Sequence, residues 1–227
     1  MAESGSPLGE RMKSKLRVLL VDDHPLVRRG AAEMINEQPD MEVCGETGAA
    51  GEALTLVKQT NPHLVLVDLS LSSGHGIELI EQIRAYNSEI KMIVASVHDE
   101  ELYAERSLRA GAVGYINKQE ASDKLVEAIR HVLGGDVYLS GNMANHMLRS
   151  MVNGEQPEGD PVRTLSNREL EVFELIGEGK TTKQVAAQLH LSPKTIETHR
   201  EKIKMKLNLG SSTELTRRAV QWVLESR

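Results

Sequence analysis

The sequence predicts an α/β domain followed by an all-α domain: a doubly wound, five-stranded parallel sheet, then a four-helix unit. Two observations predict the sheet. Short, nearly continuous apolar runs alternate with stretches whose apolar residues recur every three or four positions, and such alternation builds parallel sheets covered by helices on both faces. Four of the runs also end in polar clusters, Asp22-Asp23, Asp68, Ser96 and Lys118. A third observation, helix start and stop signals crowded after residue 164, predicts the all-α part.

The strands in order are Leu16–Val21 (LRVLLV), a weaker candidate at 42–46 (EVCGE), Leu64–Val67 (LVLV), 91–95 (KMIVA) and Gly114–Asn117 (GYIN). Between and after them, Pro25–Asn36, 49–60, 75–86, 99–110 and 122–133 carry helical periodicity. In the third of these Ile77, Ile80 and Ile83 recur every three residues, which sets them along one helical stripe. Ligands of such sheets bind outside the carboxyl ends of the strands. The four polar clusters are therefore expected in one crevice.

Three carboxylates brought together repel one another, and a hard divalent cation with oxygen ligands relieves that repulsion; Mg²⁺, which takes one or two carboxylates plus phosphate and water, suits the set. A cation, the Lys118 ammonium and the Ser96 hydroxyl would offset the charge of a phosphoryl group on Asp68, because carboxylates are nucleophiles for phosphoryl transfer and that transfer depends on electrostatic stabilisation. Asp23 just before Pro25 also fits a simple helix N-cap.

VLLVDDHP, LVLVDLSLSSGHG, IVASVHDE and RAGAVGYINK, in this order, resemble the receiver domain of two-component response regulators over roughly residues 15 to 133. The resemblance implies a flavodoxin-like fold in which Asp68 accepts phosphoryl from a sensor histidine kinase. It implies that Mg²⁺ is held by Asp23 directly and by Asp22 through water, with Asp68 and the Ser70 backbone carbonyl in the same set. It assigns Ser96 and Lys118 to the phosphoryl oxygens and Tyr115 to a switch that reorients with Ser96. Two departures stand out. Leu71-Ser72 replaces the usual Met-Pro pair, and Gln119 follows Lys118 where a proline is common. The second leaves the isomer of the Lys118–Gln119 bond open. His24 and His98 are read as loop histidines, with His98 and Ser70 at positions that tune phosphate lifetime in receivers.

Composition frames these readings. The single cysteine, Cys44, excludes an internal disulfide and points to a reducing, cytoplasmic setting. No run is long enough to span a bilayer, and residues 1–14 read as a disordered tail without a signal-peptide core. The receiver is expected over 15–138, a linker with a possible helix over 139–163, and the second domain over 164–227. Met143, Met147 and Leu148 are expected along one side of the linker helix, and the boundary near Gly154. Lys+Arg number 12 against 20 Asp+Glu over residues 15–140, but 11 against 8 over 164–227. The second domain is thus the part suited to a polyanion.

That domain opens with a capping-box spacing, Ser166 and Glu169, and Gly177 and Gly179 follow its first helix. A short helix is expected over 182–190, then another from Ser192 as N-cap with Pro193 behind it. At roughly 100° per residue, Ile196, Ile203 and Leu207 face the core, while Lys194, Thr198, Glu201 and Met205 lie opposite, flanked by Glu197 and Lys202. LSNRELEV, GKTTKQVAAQL and SPKTIETHREKIKMKL resemble the LuxR-type helix-turn-helix of NarL/FixJ-like regulators. The resemblance implies double-stranded DNA with paired half-sites as a partner. The expected contacts are Lys194, Thr195, Glu197, Thr198, Glu201 and Lys202, with the two glutamates where some relatives carry lysine.

The last helix, 212–225, resembles the family's dimerisation helix. Leu215, Ala219 and Trp222 share one stripe, which leaves Val220 and Leu224 for a partner in a homodimer formed on activation. Three rival readings are a phosphohydrolase, a small-ligand sensor on the same DNA-binding module, and a regulator that works as a constitutive dimer without phosphorylation.

Overall fold

A computed structural model describes residues 15–71, 74–97, 100–153 and 161–225. The expected tail at 1–14, the boundary at Gly154, and Ser72 and His98 lie outside the described residues. The first domain comprises β1 (Leu16–Val21), α1 (Pro25–Asn36), β2 (Met41–Thr47), α2 (Ala50–Thr60), β3 (Leu64–Val67), α3 (Gly76–Tyr86), β4 (Lys91–Ser96), α4 (Glu100–Ala110), β5 (Gly114–Asn117) and α5 (Ala121–Leu133). All strands pair in parallel in the order β2-β1-β3-β4-β5. The order reverses between β1 and β3, and a crevice opens at such a switch point.

Strand residues alternate between two apolar layers. Val18, Leu20, Leu64, Leu66, Ile93 and Ile116 pack with Ile35 of α1 and Leu125, Ile129 and Val132 of α5. Leu19, Val21, Val65, Val67, Met92 and Val94 pack with α2, α3 and α4 through Val57, Ile77, Ile80, Ile83 and Tyr103. Burial on both faces explains the unbroken apolar runs of the central strands. β2 reads weakly because it is an edge strand with half-exposed residues, and because its register with β1 shifts at Val18/Leu19, where Cys44 is skipped. It is longer at both ends than the pattern predicts.

After α5 the chain returns along the opposite edge, where Tyr115 N donates to Tyr138 O at 2.9 Å and Tyr138 N donates to Val113 O at 3.0 Å. Helix α6 (Gly141–Asn153) follows. It buries Met143 against the core and half-buries Met147, but Leu148 is 60% exposed. The expected three-residue apolar side is therefore a two-residue one: Leu148 directly follows Met147, and one helical step of about 100° turns it toward solvent.

A 3₁₀ turn (Pro161–Thr164) leads into α7 (Asn167–Gly177), α8 (Thr182–Gln188), α9 (Pro193–Lys206) and α10 (Ser212–Glu225). The capping box forms as predicted, with Ser166 N donating to Glu169 Oε2 at 2.8 Å. Lys206 of α9 donates to the same oxygen at 2.6 Å and so ties α7 to α9. Gly179 takes φ +82° and stops the helix, as its position predicts. Gly177 is still helical and serves packing instead, since a Cβ there would sit 2.5 Å from the Ala219 carbonyl oxygen of α10. Leu215, Ala219 and Trp222 are buried as expected, with Val223 beside them, and Trp222 packs on Phe173 at 5.8 Å between ring centroids. Among the described residues no helix is long and apolar enough to cross a membrane.

Candidate functional site

The carboxyl ends of β1, β3, β4 and β5 bring the four polar clusters together. Asp68 N donates to Val21 O at 2.8 Å, and Lys118 N donates to Ser96 O at 2.9 Å, so the ladder itself sets these residues side by side. Lys118 Nζ lies 2.6 Å from Asp68 Oδ2 and 2.7 Å from Asp22 Oδ2. Its side chain is 6% exposed. Asp68, Asp22, Ser96 and Tyr115 are all buried. Burial raises the Asp68 carboxyl more than the Lys118 charge lowers it, and with Asp22 and Asp23 adding repulsion it is pushed up to about 6.

Asp23 is not the N-cap of α1. His24 takes that position, and Pro25 opens the helix, which leaves the Asp23 carboxylate for the crevice. Asp23 Oδ1 is buried and no hydrogen bond satisfies it, although His24 Nδ1 lies 2.8 Å away at ion-pair range. His24 is also more than a loop histidine: the same Nδ1 lies 3.2 Å from Asp22 Oδ1 and 3.6 Å from Asp68 Oδ2. Ligand atoms of Asp22, Asp23, His24 and Asp68 fall within 4.8 Å of one another. A buried oxygen without a hydrogen bond, in a set of three carboxylates, fits a hard divalent cation.

The loop after β3 is closed on itself. Ser70 N donates to Asp68 Oδ1 at 3.4 Å, Ser70 and His75 form an antiparallel bridge, and Gly76 N donates to Leu69 O at 2.9 Å. A Cβ on Gly76 would lie 2.2 Å from the Asp68 carbonyl oxygen, so α3 begins directly under Asp68 only because position 76 is glycine. His75, buried, caps that helix by accepting from Ile77 N at 3.1 Å. Among the described residues no peptide bond is cis, and the Lys118–Gln119 bond is accordingly trans.

Three participants leave little or no mark in the sequence. Arg28 donates to the Asp22 carbonyl oxygen and pairs with Glu46 at 3.5 Å, bracing the β1 end from α1. His24 could have been suspected from its place beside two aspartates. Glu171, which accepts from Ser70 Oγ at 3.3 Å, lies 101 residues away in the chain and no local pattern points to it.

In the second domain α8 and α9 are joined through His190, at φ +52°, and Ser192, whose side chain accepts from Thr195 N at 3.1 Å. Ile196 and Ile203 are buried, while Lys194, Glu197, Thr198, Glu201 and Lys202 are exposed and Thr195 is half-buried. The two glutamates are not isolated charges: Glu197 accepts from Thr182 Oγ1 at 2.7 Å and lies 3.7 Å from Arg200 Nε, and Glu201 lies 2.9 Å from Lys204 Nζ. His199 Nδ1 is buried without a hydrogen bond, and burial, with Arg168 and Lys202 nearby, lowers its proton affinity. On α10 Leu224 is 74% exposed and Val220 half-buried.

A switch-point crevice with buried acids and a lysine, joined to an exposed helix-turn-helix, defines a response regulator with a DNA-binding output domain. Comparison with known proteins agrees. Residues 18–130 match the response regulator receiver domain and residues 163–219 match the luxR family of bacterial regulatory proteins. The chain is 34% identical over 206 residues to the response regulator UvrY of Escherichia coli, covering 91% of this chain and 94% of that one. It is 35% identical over 211 residues to the oxygen regulatory protein NreC of Staphylococcus carnosus, covering 91% and 97%. Among solved structures, a LuxR-family two-component response regulator from Aurantimonas shares 34% identity at a TM-score of 0.57, over 61% of this chain and 99% of that one. RcsB of Salmonella enterica, bound to promoter rprA with a phosphomimetic, shares 25% identity at a TM-score of 0.60, over 90% and 98%. The chain belongs to the response regulators of the NarL/FixJ type, with a receiver domain and a LuxR-type DNA-binding domain.

Proposed function

We propose that this protein switches DNA binding by phosphorylation of Asp68. The single observation that carries the reading is Lys118 Nζ at 2.6 and 2.7 Å from Asp68 and Asp22, beside a buried Asp23 oxygen that no hydrogen bond satisfies. An Asp68 carboxylate oxygen attacks the phosphorus of a phosphohistidine on a sensor kinase; the P–N bond breaks, the P–O bond forms, and the imidazole leaves. Lys118 and the Ser96 hydroxyl bond the transferred phosphoryl oxygens and neutralise their charge. Asp22, Asp23, Asp68 and the Ser70 carbonyl would hold Mg²⁺, which supplies further charge neutralisation at the phosphoryl group. Tyr115, buried on β5 opposite Val94, reports the change to the α4–β5 surface. Catalysis stops at phosphoryl uptake and slow self-dephosphorylation.

The output is a homodimer that binds paired half-sites, with α9 in the major groove, Lys194, Thr195, Glu197, Thr198, Glu201 and Lys202 at the DNA, and Val220 and Leu224 between protomers. Joining two half-sites raises effective concentration and so affinity without new contacts. The test is intact mass and size after incubation with Mg²⁺ and acetyl phosphate. One phosphoryl adduct, absent from Asp68→Asn and accompanied by dimerisation, is the expected outcome. Absence of the adduct would favour DNA binding independent of phosphorylation.

A further inference from the structure

Among the described residues, one of the two glutamates on the exposed face of α9 is held from a neighbouring helix. Thr182, the first residue of α8, donates its hydroxyl to Glu197 Oε1 at 2.7 Å. Arg200 Nε faces the other oxygen, Oε2, at 3.7 Å, which is too long for a hydrogen bond. Glu201, by contrast, lies 2.9 Å from Lys204 Nζ of its own helix. The Glu197 side chain remains 54% exposed, while that of Arg200 is 14% exposed. One carboxylate oxygen is thus fixed, and the other is presented to solvent near the start of the helix.

A carboxylate is repelled by the phosphates of a duplex, and its desolvation costs free energy unless a donor meets it. In the major groove the donors are the N4 amino group of cytosine and the N6 amino group of adenine. Adenine carries the acceptor N7 beside N6, so it suits an amide, which can donate and accept; cytosine sets a carbon-bound hydrogen beside N4 and suits a carboxylate. Glutamate loses rotamer freedom when it is ordered, and the Thr182 bond restricts Glu197 before DNA arrives, which lowers that cost. Thr198, the next residue, donates its hydroxyl to Lys194 O at 3.0 Å and so has no donor left for a base. The pairs Glu197–Arg200 and Glu201–Lys204 also offset two cations of α9, which weakens its sequence-independent attraction to phosphates. Discrimination by this helix then rests on contacts to base edges.

We propose that Glu197 is a specificity residue that reads the N4 amino group of one cytosine in each half-site, and that Thr182 is its positioning residue. The inference rests on the reading of α9 as the helix that enters the major groove. Glu197 Oε2 accepts from the groove-facing N4 hydrogen, and Oε1 keeps its bond to Thr182. Thymine and guanine present the acceptors O4 and O6 at the corresponding place, and each repels the carboxylate. A C·G pair at this position is therefore bound in preference to the other three pairs.

The test is selection from a pool of duplexes with a randomised segment by the full-length protein, with and without acetyl phosphate and Mg²⁺, followed by fluorescence anisotropy on the selected site. The wild type is expected to enrich paired half-sites with C·G at one fixed position. Replacing that pair by T·A in one half-site, or its cytosine by N4-methylcytosine, whose methyl takes the groove-facing place while pairing with guanine is kept, lowers affinity by about tenfold or more. In Glu197→Ala the same replacements change affinity by at most about twofold. Thr182→Val loses several-fold in the ratio of selected to altered site, and Thr182→Ser, which keeps the hydroxyl, retains the ratio. The ratio is the readout because a merely structural loss weakens both duplexes alike. Wild type and Glu197→Ala selecting the same base at every position overturns the specificity role and leaves DNA binding by α9 standing. An adenine at the position that Glu197→Ala relaxes overturns the cytosine assignment. A wild-type ratio in Thr182→Val overturns the positioning role. No enriched sequence and no duplex bound, with or without acetyl phosphate, overturns the reading of α9 and this inference with it.

Discussion

Lys118 Nζ stands 2.6 Å from Asp68 Oδ2, yet Asp68 holds its proton up to about pH 6. A lysine this close ordinarily keeps a carboxylate ionised well below its usual range. Here burial, with Asp22 and Asp23 alongside, outweighs the one ammonium. The crevice is therefore short of positive charge, a condition that favours cation and phosphoryl chemistry and costs stability.

The first prediction follows from the sign of that shift. Asp68 binds its proton more tightly folded, at about 6, than unfolded, near 3.8. Its favourable contribution is complete below the unfolded value and is lost as pH rises through about 6. Without divalent cation at pH 7, Asp68→Asn therefore stabilises the receiver by about 2–3 kcal/mol. Urea unfolding in chelator from pH 4 to pH 7 checks this. Equal stability of the two proteins at pH 7 would refute it.

Lys118→Met removes the ammonium that faces two buried carboxylates and would face the phosphoryl oxygens. The initial rate of phosphorylation by acetyl phosphate is expected to fall by about 10²-fold, the scale for losing one preorganised charge partner. A fall of less than threefold would mean that Lys118 serves the fold only.

Gly76→Ala tests how tightly α3 abuts the loop after β3. The added methyl meets the Asp68 carbonyl at 2.2 Å and the Leu69 Cα at 2.7 Å, both backbone. Because neither can rotate away, the receiver is expected to lose about 1–3 kcal/mol and to bind Mg²⁺ less tightly. Thermal unfolding and a Mg²⁺ titration, each unaltered, would show that the loop yields freely.

Glu169 joins the start of α7 to Lys206 at 2.6 Å and to Ser166 N at 2.8 Å. Burial pushes its carboxyl up, but those bonds prevail and hold it below the usual range. The stability it contributes is present above the unfolded pKa and is lost as pH falls through the lowered folded value. Glu169→Ala is expected to destabilise the DNA-binding domain by about 1–2 kcal/mol and to flatten its acid unfolding. A melting temperature equal to the wild type at pH 7 would dismiss the tie.

On α9, Lys202→Ala should weaken binding to any duplex and reduce the salt slope by about one, as loss of a phosphate contact does. Glu201→Lys should raise affinity for random duplex while narrowing the gap between specific and random DNA. Fluorescence anisotropy over a salt series separates the two. A slope unchanged by Lys202→Ala would place that lysine away from the phosphates.

Much of this molecule is legible along the chain. Leu64–Val67, closed by Asp68, reads as a central strand with a functional tip because burial on both faces demands an unbroken apolar run. Ser166 with Glu169, and Ser192 with Pro193, mark helix starts because backbone amides there need local acceptors. Such signals act within a few residues, and so fold class, element order and four of the site's clusters were determined by sequence alone.

Tertiary structure decided the rest. That His24 rather than Asp23 caps α1, that Gly177 is a contact with α10 rather than a terminator, and that Leu148 faces solvent each depend on what lies across the fold. The meeting of Glu171 with Ser70, 101 residues apart, leaves no periodic trace in either segment. Hydrophobic periodicity and capping are properties of neighbours in the chain, whereas charge balance, desolvation and docking are properties of neighbours in space, and only the folded arrangement sets those.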